Sequence, residues 1–326
     1  MFYLLCFCLV LAVMFLMFAA TAFASIPALR FVAAISARLR VATTSNLLFT
    51  LRCLPLLAAL ITSLGVALPA FLKFEPHSTH ENPGPALLLL GASGLLITVA
   101  VLFRFARSLR VTRVLQRQWL ANADSPRLRF NGIPVFQVKD SGSLVAVVGI
   151  FKPRFFVSKA VADLLSPEEL EAALSHELAH VRASDNLRHL VLKLTRVPGL
   201  SQLSRVDSLW ASASELAADE RAIVHGASPM DLSSALVKVG RLSFNGHPAL
   251  LAASHLVDSC NSATLMRAAR LRDLLNGGAL PVAKRMAGYW RFRRIICGGL
   301  CLTVYLLFLA SFLPSVHEAL EFFVRY

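Results

Sequence analysis

Ser166 to Asp185 reads Ser-Pro-Glu-Glu-Leu-Glu-Ala-Ala-Leu-Ser-His-Glu-Leu-Ala-His-Val-Arg-Ala-Ser-Asp. Ser166 is a helix cap, Pro167 suits the first helical position, and Glu169 stands where a capping box needs it. No breaker follows, so the stretch predicts a helix carrying His176-Glu177-x-x-His180 in its interior. Residues four apart on a helix lie about 40° apart and one turn along. Both imidazoles can therefore reach one zinc ion. Glu177 points close to the same space, where its carboxylate can take a proton from a water that the metal activates. Chance alone produces the pattern in about one chain in a hundred of this composition, so a third ligand is needed.

Outward along the chain, Ser214-Glu215-Leu216-Ala217-Ala218-Asp219-Glu220-Arg221 offers that ligand. On a helix Glu215 and Asp219 share a face. Glu215 would complete a His-His-Glu set with one position left open for water. Asp219 could accept a hydrogen bond from a ligand histidine and fix its tautomer; Asp185 is a candidate for the same task. The residues alone do not choose between Glu215 and Glu220. His225 fits a helix-end histidine favoured by the dipole, with a hydrogen bond to a tetrahedral intermediate as the alternative. His189 and His255 carry no motif and read as structural or exposed.

The rest of the chain is apolar to an unusual degree: 56% hydrophobic and 16% charged residues, with a net charge of +14. Three early runs can span a bilayer, at about residues 2–23, 47–72 and 86–103, and a fourth at about 295–313. Ala22-Phe23-Ala24 resembles a signal-peptidase site, but the basic n-region of a signal peptide is missing. Ile26 to Val41 mixes arginines with apolar residues, as an interfacial helix or a plain connector would. The cations cluster at Arg30–Arg52, at Arg104, Arg107, Arg110, Arg113 and Arg117, and at Arg291, Arg293 and Arg294. By the positive-inside rule these sides face the cytoplasm and the Lys73–Pro85 loop faces out. His77 and His80 in that loop read as exposed. No dense basic patch with interleaved aromatics occurs, so direct nucleic-acid binding is not expected. Six cysteines without a Cys-x-x-Cys pair suggest neither a disulfide framework nor a cysteine zinc site.

Three segments follow: residues 1–106 as a membrane region with three transmembrane helices, 107–290 as a cytoplasmic domain, and 291–326 as a fourth transmembrane helix with a short external tail. Both termini lie outside an inner or plasma membrane. Within the middle segment, Ile133–Val138, Leu144–Ile150 and Arg154–Ser158 read as short strands and the remainder as helices. The expected fold is therefore mainly α: an integral membrane protein with four transmembrane helices and a cytoplasmic α+β domain.

With these residues in view, the chain resembles the BlaR/MecR-type regulatory membrane zinc peptidases of the gluzincin group. The matching text is Gly149 to Ser158 (GIFKPRFFVS), Leu165 to Leu174 (LSPEELEAAL), the HELAH of 176–180 with Asp185, Glu215 to Asp219 (ELAAD) and Gly226 to Leu236 (GASPMDLSSAL). The resemblance implies a gluzincin-like zinc peptidase domain, with His176, His180 and Glu215 as Zn2+ ligands, Glu177 as general base and Asp219 as its supporting acid. It also implies that the strand ending near Ser158 is the edge along which substrate backbone aligns. Sensor members end in a large extracellular penicillin-binding domain; here a short tail follows the last run, so no such domain is expected. The cysteine often found before the second motif's aspartate is Ala218 here. Val197-Pro-Gly-Leu-Ser-Gln-Leu replaces the usual aromatic-Asn-Pro segment. Heat-shock and CaaX-type membrane proteases share both motifs and are the runner-up.

The expected activity is zinc-dependent endoproteolysis of cytoplasmic or membrane proteins as regulatory signalling, with a transcriptional repressor among the candidate substrates. The bilayer is the other partner. A non-catalytic zinc-binding membrane scaffold and a transporter are the alternatives of other classes. Oligomeric state, trigger, self-cleavage and natural substrate are not legible in the sequence.

Overall fold

The computed structural model describes residues 1–36, 39–76, 82–124, 128–139, 145–150, 152–196, 201–243, 254–255, 266–272 and 318. The fourth apolar run, the Pro198-Gly199 break, His77, His80, Cys260, Cys297 and Cys301 lie outside them.

Among the described residues, three helices are long and apolar enough to cross a membrane: α1 (Phe2–Ile35), the stretch Val41–Phe74, and α4 (Pro85–Ala121). The second comprises α2 (Val41–Thr62), a π-helical turn at Ser63–Ala67 and α3 (Leu68–Phe74). α1 does not end near residue 23, as the composition suggests, but continues through Ile35 with Pro27 inside it. The expected interfacial segment is thus largely a continuation of the first helix. A helix of this length rises about 50 Å, more than the hydrocarbon thickness needs.

The chain divides into two compact units. In the first, formed among the described residues by Met1–Arg30 and Thr50–Phe103, α1 and α4 approach closely. A Cβ on Gly94 would stand 2.2 Å from the carbonyl oxygen of Leu11, and one on Gly91 3.1 Å from that of Cys8. Small residues permit such backbone contact in a membrane, where apolar lipid removes the usual drive for helix association.

The second unit, Phe31–Phe49 with Arg104–Val282, is built on a sheet of strand order β1-β2-β4-β3-β5. Its strands are β1 (Leu128–Phe130), β2 (Ile133–Val138), β3 (Val145–Val148), β4 (Arg154–Ser158) and β5 (Ser254–His255). β1 and β2 form a hairpin over Asn131-Gly132, both at positive φ (46° and 80°). That turn chemistry favours Asn-Gly, and β1, which the strand expectations lack, is the partner it creates. β4 pairs with β2 on one side, in parallel, and with β3 on the other, antiparallel. The strand ending at Ser158 is therefore interior, and the expectation that it forms an edge is corrected. β3 takes the position beyond it, with two residues of β5 paired to Ala146 and Val147.

Alternation along the strands separates two cores. Val145, Val147, Phe155 and Val157 face α5 (Lys159–Leu164), α6 (Pro167–Ala183) and α9 (Pro229–Ser243) through residues such as Val161, Leu174 and Leu236. Ala146, Val148 and Phe156 face the opposite way, where Trp119 near the end of α4 packs on Phe156 with ring centroids 5.1 Å apart. The arginine-studded extension of the third apolar helix thus backs the sheet. Arg104 on the same helix donates to the carbonyls of Leu194 (3.5 Å) and Arg196. It thereby satisfies the C-terminal end of α7 (Asp185–Leu194).

α6 starts as its sequence dictates. Ser166 accepts from the Glu169 N–H and Glu169 returns a bond to the Ser166 N–H. Glu169 is buried and also receives Ser234 Oγ at 2.5 Å and Lys238 Nζ at 2.7 Å from α9. The cap is therefore also the bolt between two helices. Replacing Glu169 with alanine removes both and strands Lys238 and Ser234. The expected loss is about 1–3 kcal/mol of stability, read as a lower thermal midpoint in detergent; an unchanged midpoint would contradict this role.

Candidate metal centre

α6 lies between the sheet core and α8 (Ser201–Val224), so its inner face is dry; His176, Glu177 and His180 are all at most 2% exposed. α8 presents Glu215 and Asp219 from the other side. His176 Nε2 and His180 Nε2 stand 3.1 Å apart. Glu215 Oε2 is 3.4 Å from the first and Glu215 Oε1 3.4 Å from the second. A tetrahedral ion with bonds of about 2.0–2.1 Å has ligand–ligand edges of about 3.3–3.4 Å. Two imidazoles and a carboxylate in this triangle fit zinc in both size and donor chemistry. Glu177 follows the first histidine directly, and its charge reaches His180.

Each histidine is held from behind. His176 Nδ1 donates to Asp219 Oδ1 at 2.8 Å, and His180 Nδ1 donates to Asp185 Oδ2 at 2.8 Å. Both bonds leave Nε2 of each ring facing the other and Glu215. Asp185 can do this because α6 ends in a left-handed residue, Ser184 (φ 58°), whose N–H returns to the last turn. The corner starts α7 with Asp185 folded back under the helix it has just left.

The arginine of the cluster was not legible in the sequence. Arg267, in the helical residues 266–272, is 4% exposed. It clamps Asp219 with Nε to Oδ2 at 2.8 Å and Nη2 to Oδ1 at 2.7 Å, and its Nη1 lies 2.9 Å from Glu215 Oε2. No motif marks it; it stands far downstream, and only tertiary folding brings it to the site. Glu220, the alternative third ligand, instead pairs with Arg270 at 2.5 Å and points away. His225 is exposed and bonds the Arg221 carbonyl at the end of α8. His189 is packed edge-on to Trp210 at 4.7 Å, and burial, with Lys193 nearby, pushes it down to about 4. For His255 only the backbone, in β5, is described.

The electrostatics follow from burial opposed by charge. Burial acts to lower both metal-facing histidines, but carboxylates outweigh it: His176 is raised by Asp219, and His180 is pushed up to about 10 by Glu215 and Asp185. Burial acts to raise Glu215 and Asp219, yet His180 and Arg267 hold Glu215 well below the usual range. Arg267 likewise holds Asp219 low.

Residues 106–239 match the model of peptidase family M48. M48 peptidases are metallopeptidases and generally zinc-dependent. The M48 match encloses His176, Glu177, His180, Glu215, Asp219 and Asp185, whereas Arg267 lies beyond it. It supports the peptidase reading without selecting the BlaR/MecR type. No curated protein matches the chain.

Two expectations follow. A metal must displace the protons that the raised histidines hold below their folded pKa values. Zinc binding should therefore release up to about two protons near neutral pH and strengthen by up to about tenfold per pH unit per proton as pH rises. Calorimetry in buffers of different ionisation heat checks this; proton-free binding would contradict it. Arg267→Ala leaves buried carboxylates without their cation and should cost about 3–5 kcal/mol in metal-free protein. Saturating zinc, supplying positive charge at the same place, should restore part of the lost thermal stability.

Proposed function

We propose that this protein is a membrane-embedded zinc-dependent endopeptidase whose peptidase domain faces the cytoplasm and cleaves cytoplasmic or membrane proteins, as regulatory signalling proteolysis of the BlaR/MecR kind. The observation that carries this reading is the near-equilateral triangle of His176, His180 and Glu215 with Glu177 buried beside it. It lies inside the M48-matched residues. His176, His180 and Glu215 would hold the ion, which supplies Lewis acidity toward water and the scissile carbonyl.

The chain's own residues do the rest. Glu177 accepts a proton from the attacking water and passes it to the leaving amine. Asp219 and Asp185 keep both imidazoles in the Nδ1-protonated tautomer, so that Nε2 offers its lone pair forward. Arg267 balances the carboxylates while they wait for a divalent charge. The arginines at 104, 107, 110, 113 and 117 support placing this unit on the inner membrane surface.

The test compares wild type with Glu177→Gln, both shown to carry zinc, on an unfolded model protein such as casein. Loss of the base should cost about 10²–10⁴-fold in rate with zinc content unchanged. Equal cleavage by both would sink the mechanism. A cut confined to unfolded membrane proteins would favour the heat-shock or CaaX type over the regulatory one.

A further inference from the structure

The metal centre accounts for one oxygen of Asp185. Oδ2 holds His180, while Oδ1 is buried and has no hydrogen-bond partner among the described residues. One turn along α7, Arg188 points Nη1 at that oxygen from 3.8 Å. This nitrogen is likewise buried and without a hydrogen-bond partner among the described residues. At 3.8 Å the pair is an ion pair and not a hydrogen bond, so the aspartate alone does not fix the arginine's place.

A second contact does. The Arg188 guanidinium lies over the ring of Phe49, 5.3 Å from its centroid, within the range of a cation–π interaction. Phe49 stands in the opening turns of α2, the helix that continues as the second candidate span. The same ring is 6.2 Å from that of Trp210, which is 1% exposed and lies little more than one turn before Glu215 on α8. One aromatic side chain from α2 therefore meets the support of His180 and the helix that carries Glu215, at Trp210.

We propose that Arg188 is a positioning residue for His180, acting through Asp185, and that Phe49 holds Arg188 in place and so ties the foot of α2 to the metal centre. The inference rests on the metal-site reading above. Arg188 anchors the carboxylate that anchors the imidazole, and the aromatic face of Phe49 limits where the guanidinium can go. A shift of α2 moves the ring, and the orientation of His180 follows. This couples a membrane helix to metal affinity without any contact between that helix and the metal.

The test uses full-length protein in detergent with zinc itself as the probe, by competition with a fluorescent chelator. Arg188→Ala should weaken zinc binding about three- to tenfold, less than the 10- to 100-fold range for losing the group, here Asp185, that directly holds a metal-binding histidine. Arg188→Lys should recover part of that loss. Phe49→Leu, which keeps apolar bulk but removes the aromatic face, should weaken binding about threefold. Added to Arg188→Ala it should cost nothing more, because both act on one linkage. Circular dichroism confirms folding of each variant, and Phe49→Leu keeps the test decisive if Arg188→Ala does not fold. Folded variants with wild-type zinc affinity overturn the proposal while leaving the metal site standing. Wild type binding zinc no better than His180→Ala overturns the metal-site reading and this inference with it.

Discussion

Charge in a dry place governs the second unit. Glu177, Glu215, Asp219 and Asp185 converge with two histidines on ground where most of their atoms meet no water. Carboxylates cannot be crowded there without cations and hydrogen bonds to answer them. Arg267 and the raised histidines provide the answer within the chain itself. The surrounding packing follows from that need. α6 must be held in phase against α8, the corner at Ser184 must return Asp185 beneath His180, and residues 266–272 must come back to the site.

The sheet and the helices divide the work. Strict alternation in β3 and β4 buries one row of side chains under α6 and the other under Trp119. That gives α6 a rigid floor, while Glu169 locks its start to α9. The face bearing His176, Glu177 and His180 is thus carried on a helix fixed along its length. This is the condition for keeping His176 and His180 at tetrahedral edge lengths from Glu215 on α8, since a loop would leave them free to drift. Placing β4 inside the sheet leaves β3 as the strand beside the site, next to α6.

Two of the apolar helices also contribute side chains to the second unit. α4 leaves its apolar stretch as one continuous helix, caps α7 through Arg104 and backs the sheet through Trp119. α2 contributes Phe49 to the ground behind His180 and Glu215.

How much of this could be read beforehand depends on range. The helix over 167–183, its cap and the phase of His176, Glu177 and His180 are consequences of spacing along fewer than five turns, and they appear where the residues put them. The apolar runs identify three candidate spans for the same reason: composition over a window is a local quantity. Asn131-Gly132 is a local hairpin signal that points to β1. Sheet order was beyond reach, because alternation tells which face a residue takes but not which neighbour its strand pairs with. Arg267 and Phe49 were beyond reach as well. Neither carries a motif, each lies far from the helix it serves, and a counter-charge or a packed ring is recognised only by what folding sets beside it. The sequence by itself determined the helical phase of His176, Glu177 and His180 and the apolar runs long enough to span a membrane; tertiary structure alone decided how the site's charge is balanced and what holds its residues in place.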